Sequence, residues 1–283
     1  MSPKAKNTNP WRNPLFVASN GARKIADSQL LGEKLRRKAA AGWALGTFLI
    51  ELPAPASLTA MSLAGFDFVV IDLEHSSVGV STLEPLIIAA RAVALATLVR
   101  TWGEDVGLIG KVLDMGAHGI MAPHVDSAER ARAIVEQARF PPQGRRGFSP
   151  LTKFDAQREP LRALCQSTYV VVQIEGPKAM ERVGKIAAVP GVDAVFVGPY
   201  DLALSMGIKP GSARVFSAAE RMAREVPSTI ALGIYVDDPA TCGAWASRRF
   251  ALQCVSFDGR MLSNGARAIV AQARRGLSKR RRK

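Results

Sequence analysis

The reading of the fold turns on Phe66–His75, FDFVVIDLEH. An apolar run rich in β-branched residues follows Gly65 and ends abruptly in Asp72, Glu74 and His75. Phe66–Leu73 is short for a helix, and its centre, Phe68–Ile71, is continuously apolar rather than alternating, the pattern of a parallel strand covered on both faces. The polar residues at its end are expensive to place unless something pairs with them.

The same pattern recurs in both directions along the chain. Gly46–Glu51 precedes it, and Ala96–Thr101, Gly119–Val125, Tyr169–Glu175, Ala194–Gly198, Ile230–Val236 and Ala251–Phe257 follow. Helical patterns fill the gaps at Ser57–Ala64, Ser81–Ala94, Val106–Met115, Ser127–Phe140, Pro177–Ala188, Ser217–Arg224 and Pro239–Arg248. Ser127 reads as an N-cap and Gly116 as a C-cap. A helix over Ser28–Ala41 would come before the first strand, and Gly259–Arg275 would be the last. Eight strands alternating with helices favour a closed (β/α)8 TIM barrel over an open doubly wound sheet, and 283 residues suit the ~250 that such a barrel needs. The chain divides into a basic extension at 1–28, an α/β barrel at 29–275 and a basic tail at 276–283.

The net charge of +14 raises the possibility of a nucleic-acid partner. Its location argues otherwise: residues 1–28 carry +4 and residues 274–283 carry +7, leaving +3 for everything between. The tails can touch polyanions nonspecifically, which says little about the folded domain. No apolar run approaches the ~18 residues of a membrane span, and the N-terminal stretch lacks a signal-peptide core. Three cysteines, Cys165, Cys242 and Cys254, form no close pair and point to a reducing, cytoplasmic setting. The connection between strands four and five is unusually long and contains RFPPQGRRGFSPLTKF, residues 139–154. It reads as a lid or binding loop, with a plain surface insertion as the alternative.

In such a barrel the chemistry collects at the C-terminal ends of the strands. There the sequence places Asp72 and His75, Arg100, Gln173 and Glu175, and the run Gly198-Pro199-Tyr200-Asp201. Glu175 and Asp201 suit a hard divalent cation, Mg2+, Mn2+ or Co2+; an ion pair with a nearby arginine is the alternative. His75 suits proton transfer, with Asp72 or another acid orienting its ring. His124 stands near a strand end as a supporting candidate, and His118 falls at the opposite end with a structural role. Arg100 can hold a carboxylate or an enolate oxygen, and amides around Gly198–Asp201 can cradle a carboxylate.

In the order IDLEH, PPQGRRG, QIE and GPYDLALSMG, with LDMGAHGIMAPHV between, the chain closely resembles the HpcH/HpaI aldolase family over roughly residues 33–270. The resemblance implies a metal-dependent (class II) aldolase of the phosphoenolpyruvate/pyruvate barrel type. It would join or split pyruvate and an aldehyde through an enolate stabilised by the metal. By resemblance Glu175 and Asp201 bind the metal, His75 is the acid/base and Arg100 contacts the pyruvate oxygen. Gln173 supports the 2-oxo acid, and the amides of Tyr200 and Asp201 take its carboxylate. The family forms hexamers with exchanged terminal helices, so a homo-oligomer is expected. A Schiff-base aldolase needs a lysine inside the barrel, and no strand contains one. Oxaloacetate decarboxylation and acyl-CoA lyase chemistry share the enolate and are the alternatives; a polyanion-binding protein on a retired barrel is the non-enzymatic one. Glu51 and the TWGED segment after Arg100 depart from the family pattern and leave the aldehyde unassigned.

Overall fold

A computed structural model describes residues 31–103, 106–148 and 168–280, except for the side chains of 279 and 280. Each apolar run becomes a strand: β1 Ala44–Leu49, β2 Phe68–Asp72, β3 Ala96–Arg100, β4 Gly119–Ala122, β5 Tyr169–Ile174, β6 Ala194–Val197, β7 Ala231–Val236 and β8 Phe250–Phe257. All neighbours are parallel, and β8 pairs back onto β1 to close the barrel. The fold is the expected (β/α)8 barrel.

Strand alternation sorts every run into two packed layers. Phe68 and Val70, Leu98, Val171 and Phe196 fill the barrel interior. Val69, Ile71, Val99, Val170, Val172 and Val195 face the helices. Continuing the inward series by two residues along β2, β3 and β5 gives Asp72, Arg100 and Gln173, and one step further Glu175. The alternation that builds the core therefore also aims the polar residues inward at the top of the barrel. Small residues inside make room for large ones: a Cβ on Gly46 would lie 2.3 Å from the Phe68 ring, and one on Gly233 would lie 2.4 Å from Phe196.

The helices follow the expected order: α1 Leu31–Ala40, α2 Pro55–Ala64, α3 Val80–Ala92, α4 Gly107–Asp114, α5 Ala128–Ala138, α6 Pro177–Glu181, α7 Val183–Ala187, α8 Pro199–Ser205, α9 Ala213–Glu225, α10 Cys242–Ala246 and α11 Asp258–Arg280. Helix α1 closes the lower mouth of the barrel, where Leu31, Leu35 and Ala39 join the interior cluster. Ser127 caps α5 by accepting the Arg130 amide at 3.3 Å. Gly116, at φ 96°, ends α4 as expected.

Three elements differ from the sequence reading. The helix expected over Pro177–Ala188 breaks at Arg182, whose φ of −113° leaves helical space. The one expected over Pro239–Arg248 begins as a 3-10 turn, Pro239–Thr241, with Asp238 capping Ala240. The last helix begins at Asp258 and runs on to Arg280, past the expected end at Arg275.

In the long β4–β5 connection, residues 139–148 fold back onto the helices. Arg146 pairs with Asp114 at 2.6 Å and lies over the Phe140 ring, and the Arg145 amide donates to Glu136 O. The rest of the expected lid, residues 149–167, lies outside the described residues, as do the 1–28 extension, Cys165 and residues 281–283 of the basic tail.

Candidate active site

At the C-terminal ends of the strands a cavity of about 300 Å³ opens. His75, Arg100, Gln173, Glu175, Gly198, Pro199, Tyr200 and Asp201 line it together with aromatic side chains. Of the candidate site residues named from the sequence, Asp72 and His124 do not reach its wall.

Asp72 sits just beneath, fully buried, and stands beside Arg100 in the β2–β3 register. Arg100 Nε donates to Asp72 Oδ1 at 2.7 Å and Nη2 to Oδ2 at 2.6 Å. Of the two readings for the acid that orients His75, Asp72 or another, the geometry favours another: both Asp72 oxygens are committed to the guanidinium, and Oδ1 also accepts the Glu74 amide at 3.0 Å. Glu74 is the acid beside the imidazole instead, with Oε2 3.7 Å from His75 Nε2. Burial opposes the Arg100 charge, but Asp72, Glu74 and Glu175 more than offset it and hold its pKa above the usual value. Phe48 supports the guanidinium from one side, 5.0 Å from ring centre to Cζ.

His124, a supporting candidate in the sequence, touches two of the acids at the strand ends. It follows β4 at φ 55°, a left-handed turn that brings its backbone N–H within 2.9 Å of Glu175 Oε2. Its ring bridges two acids, with Nδ1 3.1 Å from Glu175 Oε2 and Nε2 3.0 Å from Glu74 Oε1. Glu74 thus faces Arg100 as well, at 3.4 Å, and ties the ends of β2, β3 and β4 together. The only sequence signal was a polar residue just past a strand end. His118 lies at the other end of the barrel, where its Nδ1 accepts the Thr97 amide at 3.0 Å, a structural role.

The donor set fits a hard cation. Burial first, with the charges of Asp201 and Glu74 adding to it, pushes the Glu175 carboxyl up. A positive ion at the cavity wall relieves that cost. Gln173 Oε1 is buried without a hydrogen-bond partner and calls for a donor or a cation. A Cβ at position 198 would lie 2.7 Å from Glu175 Oε1, so Gly198 leaves that oxygen its space. Among the described residues no cluster of three or more His, Cys, Asp or Glu forms a closed cage. Two carboxylates leave the remaining positions to substrate and water, as Mg2+ commonly requires.

The far wall is aromatic. Phe48 meets Phe196 and Tyr235, and Tyr235 meets Tyr200. Tyr200 Oη donates to Asp237 at 2.5 Å, and Arg260 pairs with the same carboxylate. Asp258 fixes the rim: it accepts the Ile50, Glu51 and Leu52 amides at 3.2, 3.1 and 2.6 Å. Sequence reading singled out none of Asp237, Asp258 and Arg260, although DGR directly after β8 repeats the polar strand-end signal seen elsewhere.

Comparison with known proteins matches residues 45–264, more than half of the chain, to the family model described as HpcH/HpaI aldolase/citrate lyase. A hydroxypyruvate/pyruvate aldolase of Cupriavidus necator is 32% identical over 235 residues, covering 80% of this chain and 86% of that one. A pyruvate aldolase of Rhizobium etli is 34% identical over 80% of this chain and 89% of its own. Among solved structures, an HpcH/HpaI aldolase/citrate lyase family protein from Burkholderia cenocepacia superposes with a TM-score of 0.79 at 29% identity, covering 86% of this chain and 98% of that one.

Proposed function

The chain belongs to the HpcH/HpaI aldolase/citrate lyase family, and from that premise we propose that it is a divalent-metal-dependent pyruvate aldolase. It cleaves 4-hydroxy-2-oxo acids to pyruvate and an aldehyde, and runs the addition in reverse. The observation that carries this reading is the gathering of Arg100, Gln173, Glu175 and Asp201 on one cavity at the barrel's catalytic end.

Glu175 and Asp201 would hold the cation, Mg2+, Mn2+ or Co2+. When bound, it would supply positive charge that stabilises the anionic 2-oxo acid and its enolate. Arg100, clamped by Asp72, stabilises the negative charge that develops on the keto oxygen as the C3–C4 bond breaks. The Gln173 amide and the backbone amides of Tyr200 and Asp201 position the acid. His75, at the cavity mouth beside Glu74, accepts the 4-hydroxyl proton and returns a proton to C3 of the enolate. His124 holds Glu175 and Glu74 in place. Among the described residues the cavity wall contains no lysine, which argues against a Schiff base.

Helix α11 supports a homo-oligomer. It packs at its base on β8 and β1 and carries Leu262, Ile269, Val270 and Leu277 exposed, at the i, i+7, i+8, i+15 spacing of one helix face. That stripe is suited to a second copy, and a hexamer is the assembly we infer. The tails add nonspecific polyanion contact. No helix among the described residues is long and apolar enough to cross a membrane. Cys242 and Cys254 are free thiols, in keeping with a cytoplasmic setting.

Borohydride in the presence of pyruvate tests the mechanism. Unchanged turnover after reduction, with turnover lost on chelation, is the expected result. Irreversible inactivation with one pyruvate-derived adduct on a lysine would overturn it.

A further inference from the structure

The cavity has a second half that the metal and Arg100 do not use, and its chemistry is unusual for this chain. Aromatic residues are only 6% of the sequence, yet Phe48, Phe196, Tyr200, Tyr235 and Phe257 all line this one space. Four of them form a continuous series of edge-to-face and tilted pairs. Phe196 and Phe48 stand 6.3 Å apart at 78°, Phe48 and Tyr235 6.1 Å apart at 55°, and Tyr235 and Tyr200 5.8 Å apart at 61°. Its second member, Phe48, lies under the Arg100 guanidinium, and the series ends at Tyr200, next in sequence to Asp201. A molecule lying along it is adjacent to both ends of the reacting 2-oxo acid.

The wall is also electrically neutral. Arg260, 5.0 Å over the Phe257 ring, spends its charge on Asp237, which also accepts the Tyr200 hydroxyl. Burial raises the pKa of Tyr235 and Tyr200, so both remain uncharged phenols. Among the described residues, Arg260 is the one cation on this wall and it is paired, so none awaits a carboxylate-bearing aldehyde there. A small polyhydroxy aldehyde would surrender water to aromatic carbon and meet one unpartnered polar atom there, Tyr235 Oη, so each further hydroxyl left unpaired would cost about 1–3 kcal/mol.

We propose that this aromatic wall is the aldehyde subsite and that it selects an uncharged aromatic aldehyde. The inference rests on the pyruvate aldolase reading and names the other half of its substrate. In the addition, a proton leaves C3 of pyruvate for the site's base, a bond forms between C3 and the aldehyde carbon, and the aldehyde oxygen takes up a proton. The product is a 4-aryl-4-hydroxy-2-oxobutanoate; no oxidant or reductant is involved.

The test uses the full chain with Mg2+, pyruvate, and benzaldehyde, glycolaldehyde or glyoxylate in parallel. Benzaldehyde is expected to exceed both of the others in kcat/KM by about tenfold, the scale of aromatic pair energies. Tyr235→Ala should cut the benzaldehyde-to-glycolaldehyde ratio by about tenfold, and Tyr235→Phe should hold it within about twofold, because the ring is what acts. Glycolaldehyde or glyoxylate matching benzaldehyde in the unaltered chain would overturn the proposal, whether or not the variants fold. So would a folded Tyr235→Ala that keeps the original ratio. Exchange of pyruvate C3 protons in D2O without aldehyde, followed by NMR, separates the two levels. Exchange without aromatic preference sinks the subsite alone, whereas no exchange sinks the aldolase reading and the subsite with it.

Discussion

Arg100 and Asp72 face each other across adjacent strands through two parallel hydrogen bonds of 2.7 and 2.6 Å, with side-chain exposures of 8% and 0%. Such a fork fixes the guanidinium plane, which a lysine at position 100 could not reproduce.

Asp72→Asn removes the charge and one acceptor, leaving a buried guanidinium half satisfied. Breaking a buried pair from one side is expected to lower unfolding stability by about 3 kcal/mol or more. Loosening Arg100 should reduce kcat by about 100-fold, as losing a developing-charge donor does. Urea melts and steady-state turnover on the same sample check both. A stable, fully active variant would remove Arg100 positioning from the account.

The two histidines should separate by readout. His75→Ala is expected to lower kcat by at least about 100-fold with metal affinity unchanged, as a proton-transfer group does. His124→Ala should weaken metal affinity by about 10–100-fold, because it frees the Glu175 carboxylate from its support. Calorimetric Mn2+ titration beside turnover distinguishes them. The reverse pattern would exchange their roles.

How much of this was visible beforehand depends on what each residue needed. The strands were legible because a parallel barrel requires apolar runs on both faces, and Tyr169–Ile174 or Ala194–Val197 can be little else. The polar strand ends located the cavity. Pairing across strands was not legible: Asp72 lies three residues before His75 in sequence but opposite Arg100 in register, and nothing local encodes register. His124 depends on a left-handed turn at a non-glycine residue, which surrounding packing enforces. The aromatic wall draws its members from β1, β6, α8, β7 and β8, so no single stretch announces it.

Glu175 gives the pH dependence a definite sign. Burial, aided by Asp201 and Glu74, raises its carboxyl in the fold. A raised carboxylate favours folding below its unfolded value of ~4.3 and loses that contribution as pH rises through the native value. The metal-free protein should therefore lose stability relative to Glu175→Gln as pH climbs above the unfolded value of about 4. Saturating Mg2+ should cancel the difference. Parallel stability–pH curves for the two metal-free proteins would contradict the shift.

Ile269, 70% exposed in the middle of α11, tests the assembly. Ile269→Glu places a charge where a neighbouring copy would bury the stripe, and sedimentation should show a smaller species than the unaltered chain. An unchanged mass, with both proteins monomeric, would remove the oligomer from the account.

The most direct test of the central claim is pyruvate release from a racemic 4-hydroxy-2-oxo acid, followed by a lactate dehydrogenase couple. Turnover should vanish in EDTA, return with excess Mg2+, Mn2+ or Co2+, and stay absent in Glu175→Gln at every metal concentration. Full activity in EDTA, or a Glu175→Gln enzyme as active as the unaltered chain, would contradict a metal aldolase built on Glu175 and Asp201.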